Sequence, residues 1–467
     1  MYGQDVILEN FERKYSSDSL KLWIQNTIKE VSESHPGMYR YTSKSEFDTY
    51  TNELLQTIND SMTTIDYYRR LKPLFAKIGC LHTSVILSQP YREYYEEALK
   101  FIPIGIFIDS NKKVYITKNY GGTTTVPLKS ELIAINEQPI MEVLNTLYKA
   151  IPSDGYNQTL KTLLLNHTFP LWYQSILSTS SKFNIEVAED GHRKTYHVAG
   201  VSREELPSLG IEDTAPPPLE FEIKDGIGFL TIKSFSQSAI KDCGQNFKKF
   251  IKSAFKELNK HQIKDVIIDV RGNTGGSDKN AVYFATHLFD EPFSYWKHPV
   301  EVTEQMAKDF KTWYGIFFKR PKQVGATYQW KGTRWWLSTA FNYYKTQKPA
   351  KQNYKGNVYL LTDGGCMSSC SDVVAILSHN KKAIVVGAET GGGFQGNTSG
   401  MMPTISIQPN LTMTIPLQKY TNAVDTSKNI GRGAMPDYPI VLTLDDWMNE
   451  NDIHIEYAKR LIKNKFY

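Results

Sequence analysis

The chain of 467 residues has few cysteines, and their spacing predicts no structural role for them. Four are present, too few for the disulfide framework of a small secreted domain. Cys366 and Cys370 are four residues apart, which puts them on one helix face but rarely gives disulfide geometry. Since no metal-ligand spacing accompanies them, all four are predicted to be small buried residues or free thiols.

Long apolar segments are also missing. No run of about 18 apolar residues occurs, so no membrane-spanning helix is expected. Met1 to Phe11 lack the apolar stretch of a signal peptide. We therefore expect either a cytoplasmic protein or a mature, trimmed form of an exported one.

The chain has no strong excess of charge of one sign. Its 54 basic and 49 acidic side chains give a net charge of +5. A nucleic-acid-binding protein would concentrate basic residues on one face, whereas only short pairs such as Lys248-Lys249 and Lys381-Lys382 occur, as solvated helix ends would provide. No nucleic-acid partner is expected. The 40% hydrophobic content is globular, and the length predicts two or three domains.

Motifs for cofactor chemistry are absent or incomplete. There is no Walker phosphate loop and no His-Glu-x-x-His zinc motif. Gly391 to Gly396 formally fit the dinucleotide pattern, but residues 397–403 do not favour the helix whose N-terminus would bind the pyrophosphate. We expect no cofactor and no metal.

The sequence pattern changes along the chain and divides it into four parts. Residues 1–99 have helical periodicity and predict an N-terminal helical domain. Residues 100–201 mix strand and helix patterns in a small domain, and the polar, proline-containing residues 202–220 predict a linker. Over residues 221–467 strands alternate with helices, which indicates a layered α/β domain.

Residues 293–351 interrupt that alternation. They hold five of the eight tryptophans, namely Trp296, Trp313, Trp330, Trp335 and Trp336. Interleaved Lys and Arg give the segment a superficial likeness to nucleic-acid-binding sequences. We interpret it instead as an aromatic insertion that packs on the α/β domain or lines a cleft.

Two glycine-containing turns that follow strands carry the candidate chemistry. One leads from Leu361 to Ser368 and then into an apolar helix pattern. Ser368 at a helix N-terminus would lie where free N–H groups favour an oxyanion, although by itself it is equally an N-cap. The other leads from the strand Asp265–Asp269 into Gly275-Gly276, which is either an ordinary tight turn or a second source of N–H donors.

A nucleophilic serine requires a base. Of the ten histidines, His82 is the best candidate because it lies between a predicted helix and a predicted strand. A structural or merely exposed histidine is the alternative.

Together these pieces resemble the C-terminal-processing (tail-specific) and tricorn-like serine peptidases. The matching segments occur in the order that the family has them: Gly228–Phe235, Asp269–Gly276, Val358–Ser371, Val386–Gly393 and Gly433–Asp437. Leu132–Asn136 resembles a strand of the family's PDZ-like domain. The resemblance implies an α/β (α+β multidomain) fold with a ClpP/crotonase-like layered catalytic core, a PDZ-like domain, an N-terminal helical domain and serine peptidase activity.

The family's motifs also imply the nucleophile. Counting forward from Leu361 and back from Thr390 both give Ser368. Asp372, however, lies one place later than the family's usual acid, a count that would favour Ser369. We prefer Ser368, since two counts agree.

The other site residues follow from the same resemblance. Tail-specific members use a lysine base, but Gly393 occupies the matching position. The tricorn-like members use a histidine, which points to His82 as general base, because Gly79–Thr83 resembles the segment that carries it. The third residue is normally a Glu; residues 426–433 hold no carboxylate, so Asp425 is expected. The N–H of Ser369 and one from Gly275 or Gly276 would form the oxyanion hole.

The implied substrate is a peptide or an unfolded protein, and the implied location is periplasmic or at the cell surface, with the signal peptide trimmed. The missing lysine and missing Glu motivate an alternative, a catalytically decayed scaffold that binds peptides or glycans. An acyl-CoA enzyme of the crotonase type is a weaker alternative, because that type lacks the serine and the PDZ-like domain. The oligomeric state is not predicted.

Overall fold

The computed structural model describes residues 12–122, 125–189, 191–206, 217–310, 316–334 and 342–464. The N-terminal part is helical and contains one short strand. Its elements are α1 (Ser17–Ser34), α2 (Lys44–Thr57), α3 (Thr64–Ala76), β1 (Ser84–Leu87) and α4 (Gln89–Ala98). Helix α2 begins with a capping box in which Ser43 and Glu46 satisfy each other's backbone N–H groups, so this start is encoded locally.

The middle part is a sheet flanked by two helices. Its elements are β2 (Ile104–Ile108), β3 (Val114–Asn119), β4 (Glu131–Ile135), β5 (Gln138–Pro139), α5 (Ile140–Ala150), α6 (Thr159–Ile176), β6 (Lys182–Glu189) and β7 (His192–Ala199). The strand order is β2-β3-β4-β6-β7, which leaves β2 at one edge. Residues 207–216 of the predicted linker lie outside the described residues.

The core of the last part is a six-stranded sheet in the order β20-β15-β14-β10-β9-β8. The strands are β8 (Leu219–Lys224), β9 (Ile227–Ile232), β10 (Asp265–Asp269), β14 (Asn357–Thr362), β15 (Ile384–Gly387) and β20 (Tyr438–Pro439). All except the edge strand β8 run parallel to their neighbours. The layered α/β core is therefore confirmed, and the carboxyl ends of β10 and β14 lie side by side, because parallel strands end at the same sheet edge.

Helices cover this sheet: α7 (Gln237–Asp242), α8 (Phe247–Lys260), α9 (Asp278–Thr286), α11 (Ser369–His379) and α13 (Ile453–Lys463). Helix α12 (Leu444–Met448) instead contacts the middle part, where Trp447 packs against Phe107. The sequence pattern predicts one helix over Ile240–Asn259, which is wrong, because the chain breaks there. Gly244 adopts a φ of +70°, and Asn246 caps the second helix by accepting from the N–H of Lys249.

The aromatic insertion forms β11 (Val300–Val302), α10 (Glu304–Lys308), β12 (Lys322–Val324) and β13 (Thr327–Trp330). Together with β16 (Thr398–Ser399) and β19 (Gln418–Lys419) its strands make a five-stranded sheet. Trp296 and Trp330 are buried, so the insertion packs on the α/β part. Trp313, Trp335 and Trp336 lie outside the described residues.

A third small sheet joins the two ends of the chain. Strand β1 pairs antiparallel with β18 (Leu411–Thr414), which pairs with β17 (Thr404–Ile407). Leu411 and Met413 belong to the same apolar cluster as the N-terminal helices and the middle sheet, while most of the α/β part has its own cluster. The first unit is thus completed by residues that lie in sequence between β15 and β20 of the α/β core.

The four cysteines are free thiols, as predicted, and only Cys243 is exposed. Across the ranges that the structure describes, no helix is both long and apolar enough to cross a bilayer.

Candidate active site

Ser368 lies in a strained turn between β14 and α11. Its backbone has φ 51° and ψ −130°, a conformation that costs a residue with a side chain on the order of 1–3 kcal/mol. Ser368 occupies the N-cap position of α11, but its hydroxyl makes no capping hydrogen bond. The local structure therefore does not use this hydroxyl, which argues against the purely structural N-cap interpretation.

The neighbouring serines are engaged differently. Ser369 is only 1% exposed, whereas Ser368 is partly exposed, so an approaching substrate meets Ser368. The hydroxyl of Ser371 donates to the carbonyl of Ser368 (2.8 Å). These positions favour Ser368 over Ser369 as the reactive group.

The glycine turn after β10 contacts Ser368 directly. A Cβ at Gly275 would lie 2.8 Å from the Cβ of Ser368 and 2.8 Å from the carbonyl oxygen of Met367, and its φ is +98°. The N–H of Gly275 already donates to Oδ1 of Asn273 (2.8 Å). Within the described chain, the N–H groups of Gly276 and Ser369 have no acceptor. Of the two glycines, Gly276 is thus the one whose N–H is not already used by Asn273.

A second glycine turn, residues 391–393, supports Ser368 from the other side. A Cβ at Gly392 would clash with Oγ of Ser371 and would lie 3.0 Å from the backbone nitrogen of Ser368. The N–H of Gly393 donates to Oδ2 of Asp154 (3.0 Å). Both turns therefore need the absence of a side chain beside the serine.

Helix α11 is fixed below Ser368 by a buried carboxylate. Oδ2 of Asp372 accepts from the side-chain amide of Asn397 (2.7 Å), and Oδ1 accepts from that of Asn422 (2.8 Å). Burial raises the pKa of Asp372 well above its usual value. Because both partners come from loops that follow β15, this network ties the helix to the C-terminal loops.

His82 is held just before β1. The pairing of Ser84 with Thr414 fixes the start of that strand. Burial lowers the pKa of His82, while the charge of Asp154 and the backbone carbonyl of Thr398 act in the opposite direction. Its Nδ1 is buried and has no hydrogen-bond partner in the described part of the chain. At neutral pH His82 is consequently a neutral imidazole, the form that accepts a proton.

The carboxylate whose charge raises the pKa of His82 is Asp154, in the segment between α5 and α6, although among the described residues no hydrogen bond joins the two side chains. Asp154 is 3% exposed, and its Oδ1 accepts from the N–H of Leu81 (3.0 Å). The sequence analysis missed Asp154, since an Asp before a Gly after a helix has the pattern of an ordinary turn. Only the three-dimensional arrangement distinguishes it.

Asp425 has a different environment. Its Oδ1 accepts from the N–H (3.0 Å) and hydroxyl (2.6 Å) of Ser427, which lower its pKa. The charged neighbours that act on it are Lys428 and His379. Among the described residues Asp425 makes no hydrogen bond to His82, and unlike Asp154 it is not one of the charges that act on the pKa of His82, so the structure shows no interaction between these two predicted site residues.

Comparison with known proteins supports the fold and identifies the domain. Residues 226–440 match the model of peptidase family S41. The structure of mature CPAF complexed with lactacystin has a TM-score of 0.65 and 14% identity and covers 98% of both chains. The crystal structure of mature CPAF has a TM-score of 0.63 and 13% identity, covering 98% of this chain and 97% of that one.

At such low identity the two structures show a shared fold over nearly the whole chain and no more. No curated protein sequence matches the chain. The family match includes both glycine turns, Ser368 and the Pro-Asp motif that ends at Asp437. Residues 226–440, a little under half of the chain, are therefore a peptidase family S41 domain, and the chain that contains them is a peptide hydrolase.

Proposed function

We propose that this peptidase cleaves peptides and unfolded proteins through an acyl-enzyme on Ser368, with His82 as general base. The observation that carries this proposal is the state of the Ser368 turn. The hydroxyl of the strained Ser368 makes no capping hydrogen bond. Among the described residues, the N–H groups of Ser369 and Gly276 have no acceptor, and they belong to the helix start and to the glycine turn that packs against the serine.

In the proposed reaction, His82 takes the proton of Ser368 as Oγ attacks the peptide carbonyl. The N–H groups of Ser369 and Gly276 stabilise the tetrahedral oxyanion. The C–N bond then breaks, and His82 returns the proton to the leaving amine. Water, deprotonated by His82, hydrolyses the ester and restores Ser368.

The middle domain is proposed to be PDZ-like and to bind the end of a peptide. In support, its edge strand β2 lines a cavity of about 1300 Å³ that is also lined by Asp363 and Arg432 of the α/β part. An edge strand has backbone groups available to pair with an added strand. A peptide held there would lie beside the domain that carries Ser368.

The family resemblance also supports a proposed periplasmic or cell-surface location. Fractionation of the producing cells tests this directly, because a purely cytosolic protein would contradict it.

The first experiment measures cleavage of casein, and labelling by a fluorophosphonate, for the wild type, Ser368→Ala and His82→Ala. Both variants are expected to lose at least about 10³-fold in activity. Ser369→Ala is the matched comparison and should keep its label. A Ser369→Ala variant that loses all activity while Ser368→Ala stays active would move the nucleophile by one residue. An inert wild type would favour the decayed binding scaffold.

A further inference from the structure

The segment of residues 153–157, between α5 and α6, contacts both halves of the active site, and we call it the clasp. On the histidine side, the N–H of Gly155 donates to the carbonyl of Gly79 (2.9 Å). On the serine side, the N–H of Tyr156 donates to the carbonyl of Gly431 (2.7 Å). Three parts of the chain therefore meet at this segment.

Further contacts bind the clasp to the α/β part. The side-chain amide of Asn157 donates to the carbonyl of Thr390 (2.8 Å), at the start of the turn that supports Ser368. Gly155 has a φ of +56°, and a Cβ there would lie 2.5 Å from the carbonyl oxygen of Gly431. The clasp backbone thus packs directly on the loop that contains Gly431, and Gly155 has no space for a side chain.

Asp154 is the charged member of the clasp. Its two oxygens accept from two separate loops, each at 3.0 Å: Oδ1 from Leu81, next to His82, and Oδ2 from Gly393, in the turn whose Gly392 packs on Ser368. A buried carboxylate with two backbone donors makes charge-assisted hydrogen bonds, which are stronger and more directional than neutral ones. One side chain therefore sets the separation between the two loops.

We propose that Asp154 is the positioning residue of this peptidase, which holds the loop of His82 against the turn that supports Ser368 and stabilises the imidazolium that forms there. This inference rests on the proposed function and deepens it. It assigns to Asp154, in the middle region, the role of third catalytic-site residue that the family resemblance implied for Asp425.

Several titratable groups surround this pair. His35, at the end of α1, acts on His82, and Arg40, Tyr41 and Cys80 interact with the neighbourhood of Asp154. Arg40 is the cation among them, and its guanidinium donates to the carbonyls of Gln395 and Gly396. Asp154 is therefore the negative group placed to act on His82.

The test compares Asp154→Asn with Asp154→Glu and with Asp60→Asn. Asp60 is the matched control, an exposed carboxylate that accepts from a backbone N–H, that of Ser17 (2.8 Å). Asp154→Asn is expected to lower kcat for casein by about 10²–10⁴-fold with little change in KM. The amide of the Asn side chain also places an N–H donor opposite one of the two backbone N–H groups, where the carboxylate offered an acceptor. Asp60→Asn should stay within about threefold of wild type.

The pH profile separates positioning from general destabilisation. The charge of Asp154 raises the pKa of His82, so Asp154→Asn should move the acid limb of kcat/KM to lower pH. Asp154→Glu keeps the negative charge, so the acid limb of its kcat/KM profile should stay at the wild-type pH. It should also be more active than Asp154→Asn. Fluorophosphonate labelling of Ser368 over the same pH range gives a second readout.

Three results would overturn the inference. The first is an Asp154→Asn variant with activity within threefold of wild type, and the second is an inactive Asp154→Asn variant whose acid limb has not moved and whose Tm is lowered. The third is that Asp425→Asn loses activity and Asp154→Asn does not. A Ser368→Ala variant as active as wild type, or an inert, unlabelled wild type, would reject the proposed function itself, and the positioning role with it.

Discussion

The serine and the histidine of the proposed pair are held by contacts of different kinds. Ser368 lies between a strand and a helix adjacent in sequence, with Gly275 and Gly392 packed against it. His82 precedes a four-residue strand whose partner, β18, comes from the far end of the chain. The nucleophile is therefore fixed mainly by local geometry and close packing, and the base mainly by long-range pairing.

This difference indicates where each half is vulnerable. Close packing fails when atoms are added, because a well-packed site cannot expand without strain. Long-range pairing fails when stability is lost, because few contacts hold it. The three predictions below act on one side or the other and run from the largest expected effect to the smallest.

Gly275→Ala should damage the serine side most. The added Cβ would lie 2.8 Å from Ser368 at a φ of +98°, so the turn must move. We expect a loss of about 10²–10³-fold in the rate of fluorophosphonate labelling, comparable with removing an oxyanion donor. Gly272→Ala is the control, since Gly272 has a similar positive φ (+71°) and open space around its Cβ position. Equal labelling of both variants would contradict the packing argument.

Low pH should destabilise the part of the fold that holds His82, because His35 becomes protonated there. Burial lowers the pKa of His35 from 6.5 to about 4, and its Nδ1 accepts from the N–H of Gly37. Because the unfolded chain binds this proton more readily, stability falls as pH decreases from about 6.5 to 4, by about 3 kcal/mol in total.

Urea unfolding at a series of pH values checks this expectation. His35→Asn keeps an acceptor for Gly37 but removes the titration, so its stability should decrease less steeply over that pH range. Parallel curves for the two proteins would show that other groups cause the acid sensitivity.

The smallest of the three effects is expected for Val85→Ala, which should weaken the pairing of β1 with β18. Val85 is 1% exposed and lies opposite Met413 in the β1–β18 ladder. We expect a loss of about 1–3 kcal/mol in the free energy of unfolding, and a parallel fall in kcat/KM. Ile86→Ala, on the same strand but 40% exposed, should change both quantities less. The comparison fails if the two variants behave alike.

The Ser368 turn was predictable from the sequence, and the contacts of Asp154 were not. Strand Asp265–Asp269 occurs as its apolar run predicts, and the Ser368 turn follows from a strand, two glycines and a helix pattern. Asp154 carries no such signal, because its role depends on two loops that meet it only after folding. The break at Gly244 shows a different kind of error. There the apolar pattern predicts one continuous helix, although the backbone turns between two helices.

The role of Asp425 shows a further limit. Its identification depended on a family motif that this chain lacks, and the nearest acid in sequence has Ser427 as its hydrogen-bond donor. Proximity in sequence therefore does not replace proximity to the base. Whether Asp154 or Asp425 acts with His82 is decided by the paired Asn variants.

The pairing of β1 with β18 also orders events during synthesis. The ribosome makes His82 early, Ser368 much later and Thr414 last of the three. Because strand β1 has no partner until β18 emerges, the general base reaches its place only when nearly the whole chain has been made. A nascent or truncated chain that lacks β18 would thus carry Ser368 while the strand that follows His82 has no partner.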